Sequence, residues 1–575
     1  MTASILPFGT YCLLCVDLEV NNNLQKMTSF PGFWRWEKRD IRFRPTANNI
    51  RHIGENWPDA IWHQGTQHYL DAFIKEQQEA SLTSEKKQII LEDDGSYIYK
   101  TDPMDHQRQL FLLSRDKPSF AFFMEQGTGK TKPDIDTAAY QYSQGWIDAF
   151  IVIAPNGVHT NWEAEEIPKH MPDWCPHKVW VYSSNLTKKK QAKLEELLAK
   201  KDCLKVVCFN MEGFTSDKAK KILERILRSN RCKVTIDESQ GIKNHSAERT
   251  KYLTKSCKDV FSKRILTGTS VTKGIQDLYA QFGWLDKDIL GFDSFYTFRN
   301  NFCKMGGFEM KQIVGYKNID ELVKLIDPYS FRVTKDQCLD LPPKVYKRHY
   351  VELSKEQRRI YDKLRQDYYA SLEGYGTVSA PLAITRMLRL QQVTCGWFPS
   401  GDDSEMIRIP GDNPKLEAAL EHVKAHESPS LVWARFRPDI ELIHEELCRE
   451  HGRHAVAMYR GGMKPEDKTA IVKAFQDGQL KAVVCSKAAA RGLTLTACEN
   501  PFYHSQEYDL EIRQQSEDRC HRKGTVNSVT YTDCVANKTG DMKIIRSLIA
   551  KKAIADLINQ DGPSFFMMEN GDDDE

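Results

Sequence analysis

Met124-Glu125-Gln126-Gly127-Thr128-Gly129-Lys130-Thr131 carries the densest chemistry in the chain. It follows an apolar run that reads as a strand. It ends as a Walker A loop does, with Met124 at the place of that pattern's first glycine. Gly127 and Gly129 permit the backbone angles and close approach that aim successive amides, that of Thr128 among them, at phosphate oxygens. Lys130 offers a positive charge to the β and γ phosphates, and Thr131 offers a hydroxyl to Mg²⁺. Pro133 suits the first turn of a following helix, where its missing N–H costs little. One hundred and seven residues after Lys130, another apolar run ends in Asp237-Glu238-Ser239-Gln240. At the C-terminal end of a strand such an acidic pair divides its labour. Asp237 would hold the Mg²⁺ shell, and Glu238 would orient or deprotonate an attacking water.

A third group lies far downstream, in Gln514-Gln515-Ser516-Glu517-Asp518-Arg519-Cys520-His521-Arg522-Lys523-Gly524. Arg519 and Arg522 are three apart and are predicted to share one helix face. Two guanidiniums there would neutralise charge developing on a γ-phosphate if that helix abuts the first domain. Near the N-terminus, Trp34-Arg35-Trp36-Glu37-Lys38-Arg39-Asp40-Ile41-Arg42-Phe43-Arg44 interleaves aromatic and basic residues. Alternation along a strand pair would put cations on one side, and Trp34, Trp36, Arg42 and Arg44 are candidate nucleic-acid contacts. The same aromatics would equally serve as the core of a small β-containing domain. The basic runs Lys188–Lys190 and Lys218–Lys233 read as solvated helix faces.

These groups need elements to hold them. Short apolar runs at Ser119–Met124, Ala149–Ala154, Leu204–Phe209, Cys232–Ile236 and Arg264–Leu266 alternate with helix-like segments. A second series follows at Ser430–Phe436, Ala455–Tyr459, Lys481–Cys485, Pro501–His504 and Ser528–Val535. Continuous rather than alternating hydrophobicity predicts strands buried on both faces, hence two doubly wound α/β units in tandem. Between them strand signals fade, and Ser354–Leu372 opens with a Ser-x-x-Gln capping box at the head of a helix. The expected organisation is an N-terminal accessory domain over 1–95, a first α/β domain over 96–290 and a helical protrusion over 291–410. A second α/β domain over 411–550 and an acidic tail over 551–575 complete it.

The 575 residues, 41% of them hydrophobic and 28% charged, fit a multi-domain globular chain and exclude a fibrous repeat or wholesale disorder. No apolar stretch is long enough to span a bilayer. Met1 to Val16 lacks a basic leader and reads as a strand of the mature protein. The fifteen cysteines, including a lone CxxC at Cys12 and Cys15, show no zinc or disulfide framework. They predict buried, reduced thiols inside a cell, in cytoplasm, nucleoid or nucleus. The net charge of +2 conceals an asymmetry: residues 561–575 hold six acids and no base, so residues 1–560 carry +8. Behind Phe565 and Phe566, such a tail would be a solvated end, dock a protein partner, or compete with nucleic acid for a basic cleft.

The order of these motifs resembles superfamily 2 helicase-type ATPases, and within them the Swi/Snf-like DNA translocases. Asp105-His106-Gln107 is similar to the glutamine segment ahead of the phosphate loop, where Gln107 would read adenine. Ile153-Ala154-Pro155 through Asn161-Trp162 resembles motif Ia, and Asp237-Glu238-Ser239-Gln240 with Gly241-Ile242-Lys243-Asn244 the DEAH box and its extension. Leu266-Thr267-Gly268-Thr269-Ser270 resembles motif III, and Asp340-Leu341-Pro342-Pro343-Lys344 the lead into the second domain. Ser486-Lys487-Ala488 through Gly492-Leu493 resembles motif V, with Gly492 among the nucleotide contacts, and Glu517-Asp518-Arg519 through Arg522 motif VI. The chain departs at Gln240, where the family's histidine would couple ATP to motif III, and at Ser270, often proline. It departs again at Ala489-Ala490-Arg491, usually glycines.

The resemblance implies two RecA-like domains with helical insertions and a small N-terminal α+β domain, with ATP and Mg²⁺ bound in the cleft between the two. It implies duplex or branched DNA as partner and stepwise movement driven by cleft closure. The candidate phosphate-gripping contacts are Thr160, Asn161 and Lys243 in the first domain, and Lys487, Arg491 and Thr494 in the second. The leader weakly resembles the HARP-type substrate-recognition domains of annealing translocases. An RNA helicase and a nucleotide-gated scaffold are the alternative readings, and no membrane partner is implied.

Overall fold

The computed structural model describes residues 3–8, 11–15, 34–37, 40–87, 91, 93, 95–268, 274–306, 312–373, 380–399, 406–490, 493–522 and 524–559. The chain divides into two compact units, the first running to Thr334 and the second from Lys335 to Ala553.

The first unit begins with a small α+β module. Its strands β1 (Ser4–Phe8), β2 (Tyr11–Cys15), β3 (Trp34–Glu37), β4 (Asp40–Phe43) and β5 (Ile61–Trp62) form one sheet in the order β3-β4-β2-β1-β5. The N-terminal stretch expected to be a single strand is therefore a hairpin, with Phe8 opposite Tyr11. Alternation buries Ile5, Cys12, Leu14, Ile41 and Phe43 on one face. Cys12 and Cys15, three apart in an extended strand, point to opposite faces and do not form a chelating pair. The helix Ala47–Asn56 follows, capped by Thr46, whose hydroxyl accepts from the Asn49 amide at 3.4 Å. The module docks within its unit through Arg44, which pairs with Asp293 at 2.7 Å, and through Asn48 Nδ2, which donates to the Leu290 carbonyl.

The unit's main sheet consists of β6 (Ser119–Met124), β7 (Ala149–Ala154), β8 (His177–Val181), β9 (Leu204–Asn210), β10 (Cys232–Asp237), β11 (Ser262–Thr267) and β14 (Ser330–Val333). A hairpin of β12 (Cys303–Gly306) and β13 (Gln312–Tyr316) stands apart. All seven strands pair in parallel, in the order β14-β6-β11-β10-β7-β9-β8. Every residue of β6, β7, β10 and β11 is buried, as their unbroken apolar runs require once helices cover both faces. Each Val, Ile or Phe so buried contributes about 1.5–3 kcal/mol. Lys233, the last residue of the basic run expected to be solvated, is wholly buried on β10. There it pairs with Asp134, and its ammonium lies over the Phe150 ring. The rest of that run does lie along the exposed side of the helix Asp217–Ser229.

The second unit's sheet consists of β15 (Lys344–Val351), β18 (Ser430–Trp433), β19 (Val456–Tyr459), β20 (Ala482–Cys485), β21 (Phe502–Tyr503) and β22 (Val529–Ala536). A small hairpin, β16 (Trp397–Pro399) with β17 (Met406–Arg408), lies outside it. The six strands are parallel in the order β15-β22-β21-β18-β20-β19. The two tandem parallel-sheet units expected from the sequence are thus present. The middle of the chain is less helical than expected, since β14 and β15 complete the two sheets from inside residues 291–410. The capping box at Ser354 forms: Ser354 Oγ accepts from the Gln357 amide at 3.3 Å, and Gln357 Oε1 accepts from the Ser354 amide at 3.1 Å. Among the described residues no helix is long and apolar enough to cross a membrane. The acidic tail beyond residue 559 lies outside the described residues.

Candidate active site

In a parallel sheet all strands deliver their C-terminal ends to one edge, and ligands bind there. In the first unit that edge collects the loop after β6, the acidic pair ending β10 and Thr267 ending β11. It also collects the short helix Val158–Asn161 after β7. Residues remote in sequence therefore meet at one site.

The loop after β6 turns through Gly127 (φ 88°) and Gly129 (φ 80°) before the helix Thr131–Ser143. The positive φ demands glycine at Gly129, and a Cβ there would also push aside the Gln107 amide. Thr128 is buried, and both its amide and its hydroxyl bond the Glu125 carbonyl, at 3.2 and 2.7 Å. Its side chain shapes the loop. Gln107 is also spent locally: Oε1 accepts from the Met104 amide, and Nε2 donates to the Gly129 carbonyl at 2.9 Å. Beside it, His106 Nε2 lies 2.8 Å from the Thr128 carbonyl. The glutamine expected to read adenine is thus also a brace of the phosphate loop. Thr131 is half-buried in the first turn of the helix.

Lys130 Nζ donates to Glu238 Oε1 at 2.7 Å and lies 4.0 Å from Asp237 Oδ1. The two motifs, 107 residues apart, therefore form one cluster. Asp237 is buried and accepts from Trp162 Nε1 at 3.1 Å through Oδ2 and from the Glu238 amide at 2.9 Å through Oδ1. Burial pushes its carboxyl above the usual range, and the Lys130 ammonium works against that rise. Burial also raises nearby Glu166, and the charge of Asp237 adds to it. Glu238 has φ 51° and ψ 60°, a left-handed conformation that a non-glycine residue holds at a cost of about 1–3 kcal/mol and that concentrates at functional positions. Its second oxygen accepts from Gln240 Nε2 at 2.8 Å, while Gln240 Oε1 accepts from Thr267 Oγ1 at 2.8 Å. Gln240 thereby joins the acidic pair to motif III, the link the sequence placed in doubt. No spacing rule ties Trp162 or Thr267 to the acidic pair, and both hydrogen bonds emerge only from the fold.

In the second unit the shared-face expectation for Arg519 and Arg522 fails. The helix Leu510–Glu517 ends before either residue. Tyr531 Oη donates to the Glu517 carbonyl at 2.8 Å, and Asp518 turns to Lys335 at 2.5 Å and Lys344 at 3.1 Å. These contacts draw the chain out of the helix. Both arginines sit in the ensuing turn. Arg519 donates to the carbonyls of Gln515 and Leu493, each at 2.9 Å, and Arg522 to the Asp518 carbonyl at 2.9 Å and Thr494 Oγ1 at 3.3 Å. Thr494 is exposed and engaged by Arg522, and Lys487 is exposed after β20. In the first unit Thr160 is exposed with its hydroxyl on the Gly157 carbonyl, and Asn161 and Lys243 are half-buried. Arg42 lies over the rings of Phe8 and Tyr11, and Arg44 pairs with Asp293. Trp34 and Trp36 lie on β3, the edge strand of the N-terminal sheet. Ser270, Arg491 and Gly492 lie outside the described residues.

Comparison with known proteins identifies the family. A family model described as the SNF2-related domain matches residues 62–396, and one described as the helicase conserved C-terminal domain matches residues 414–524. An uncharacterized ATP-dependent helicase of Mycoplasma genitalium is 26% identical over 448 residues, 76% of this chain and 40% of its own length. The DNA annealing helicase and endonuclease ZRANB3 of Bos taurus is 24% identical over 432 residues, 72% of this chain and 37% of its own. The chain thus spans about 40% of the length of these curated relatives. Among solved structures, the Sulfolobus solfataricus SWI2/SNF2 ATPase core in complex with dsDNA is 21% identical, covering 82% of this chain and 95% of that one, with a TM-score of 0.35.

Proposed function

The chain belongs to the family built on the SNF2-related domain, and from that premise we propose that it is an ATP-driven translocase of duplex or branched DNA. The observation that carries the reading is the meeting of Lys130 with Glu238 and Asp237 at the C-terminal edge of a parallel sheet. ATP would enter with its phosphates on the Gly127–Thr131 turn. Lys130 would exchange Glu238 Oε1 for phosphate oxygens, leaving Glu238, steadied by Gln240, to orient the attacking water. The Asp237 carboxylate and the Thr131 hydroxyl, a hard oxygen pair suited to Mg²⁺, would hold an ion that neutralises β- and γ-phosphate charge. Arg519 and Arg522 of the second unit, and Gly492, would add to the same nucleotide site. The nucleic-acid path would run over Thr160, Asn161 and Lys243 and over Lys487, Arg491 and Thr494, with the N-terminal module selecting branched structures through Trp34, Trp36, Arg42 and Arg44. That relatives of this chain carry the name DNA annealing helicase favours fork remodelling, branch migration or annealing over simple unwinding.

The Lys130→Ala variant is expected to lose DNA-stimulated ATP hydrolysis while still binding DNA. Undiminished turnover would remove the site assignment. ATPase stimulation compared across single-stranded, duplex and forked DNA and RNA tests the substrate, and stronger stimulation by RNA would replace the DNA reading with an RNA helicase.

A further inference from the structure

Three side chains outside the nucleotide site converge inside the second unit. Cys395 follows the helix Ala380–Thr394, Asp439 lies in the first turn of the helix Arg437–His451, and His504 follows β21. They are 0, 1 and 1% exposed. One ligand atom from each, a sulfur, a carboxylate oxygen and a ring nitrogen, lies within 4.8 Å of the other two. Trp397 Nε1 donates to Asp439 Oδ1 at 2.6 Å, which fixes the carboxylate and turns Oδ2 toward His504, 3.8 Å from its Nε2. Asp439 Oδ2 and both ring nitrogens of His504 have no hydrogen-bond partner of good geometry.

An ordinary core histidine donates from one nitrogen and accepts at the other, and a buried carboxylate oxygen is paired. Here three polar atoms meet with no well-aligned partner, the Cys395 thiol being within reach of the Asp439 carboxylate, and a single cation in place of the thiol proton would engage a nitrogen, an oxygen and the cysteine sulfur together. Thiolate, imidazole and carboxylate form a borderline set that suits Zn²⁺ and disfavours Mg²⁺ or Ca²⁺. Charge also closes: one thiolate and one carboxylate match a dication, and the nearby Lys415 is neutralised by Asp541 at 2.6 Å. The Trp397 N–H is the kind of outer partner that orients a metal-bound carboxylate.

We propose that Cys395, Asp439 and His504 form a buried zinc site that staples the second unit. It would tie the end of one helix and the start of another to the segment after β21. In that segment Ser505 Oγ accepts from the Arg435 amide at 2.8 Å, and the Gln506 carbonyl accepts from Gln391 Nε2 at 2.9 Å. With its ligands out of reach of solvent, the ion is taken up as the unit folds.

The test uses the full chain, purified without chelator for elemental analysis, then unfolded, stripped of metal and refolded with increasing Co²⁺. One zinc per chain and a thiolate-to-cobalt charge-transfer absorption are expected. Cys395→Ser should abolish that absorption, with circular dichroism confirming the fold. Trp397→Phe keeps all three ligands and should weaken Co²⁺ binding about 10- to 100-fold. Absence of bound metal and of the charge-transfer band in the unaltered chain overturns the proposal. So does a band that persists in both Cys395→Ser and His504→Gln, because the metal would then sit on other cysteines.

Discussion

Gln240 offers the sharpest test of the catalytic geometry. Its amide donates to one oxygen of Glu238 and accepts from Thr267, so Gln240→Leu, close in volume, removes both contacts at once. A hydrogen bond to a charged group contributes roughly 1.5–3 kcal/mol. If that bond orients Glu238 in the transition state, its loss lowers the DNA-stimulated turnover number about 10- to 150-fold, since each 1.4 kcal/mol is a factor of ten. ATP affinity should hardly change, because the phosphate loop is braced separately by Gln107 and Thr128. The assay is steady-state ATPase with and without duplex DNA, paired with nucleotide binding. Gln240→Glu adds a sign test. It sets a second carboxylate against Glu238, and like charges this close cannot both ionise cheaply. Its activity should therefore fall further as pH rises, whereas the parent's should not. Unchanged stimulated turnover in Gln240→Leu, or equal losses in binding and turnover, would refute the idea that this bridge acts on the chemical step.

Gly129→Ala should cut nucleotide affinity about tenfold, because a φ of 80° opposes a Cβ and the new methyl would displace the Gln107 amide that braces the loop. The control Gly283→Ala, in the helix Asp277–Leu285 with nothing within 4 Å of the new Cβ, should stabilise by about 0.4–1 kcal/mol in a denaturant melt. Burial alone would raise the Asp518 carboxyl, but the Lys344 and Lys335 ammoniums hold it well below the ordinary range. A depressed carboxylate contributes stability that is present above the unfolded value of about 4 and lost as pH falls beneath it. Asp518→Asn should therefore cost roughly 3–5 kcal/mol at neutral pH and flatten the acid limb in melts between pH 2 and 5; an unchanged acid limb would contradict this. Arg44→Ala and Asp293→Ala break the same exposed pair and should each change stability by no more than about 1 kcal/mol. Only the arginine variant should weaken DNA binding, and equal affinities in the two would remove Arg44 from the nucleic-acid contacts.

Most strands legible in the sequence were those buried on both faces, because they carry unbroken apolar runs such as Phe120–Phe123 or Ala149–Ala154; the edge strand β19 was legible too, through its own short apolar run. The strands that escaped were edges. β8, β14 and β15 each pair on one side alone, so His177, Lys178, Arg332 and most of Lys344–Val351 remain polar and partly exposed. The phosphate loop and acidic pair were legible because their chemistry demands fixed residue types. Their union through Lys130 and Glu238 was not, since the 107 intervening residues say nothing of which strand ends coincide. Arg519 and Arg522 misled because helical spacing was extended past Glu517, where no glycine or proline marks the stop and the break comes from tertiary contacts to Asp518 and the Glu517 carbonyl. Cys395, Asp439 and His504 have no motif spacing at all, and counting cysteines pointed away from metal.

The brace between β14 and the phosphate loop also dictates an order of events during synthesis. The Glu125 amide donates to the Val333 carbonyl at 3.0 Å, so the loop's opening residue is held by a strand made about two hundred residues later. A nascent chain that has emerged only to Leu290 has built β6 through β11 but leaves one edge of β6 open to unwanted pairing. Closing so long a loop costs little more entropy than closing a shorter one, but it delays the step. The phosphate loop should thus reach its final shape late, once Val333 has emerged from the ribosome, before the second unit adds its own contacts. Fragments ending between the two positions should capture ATP poorly and aggregate readily.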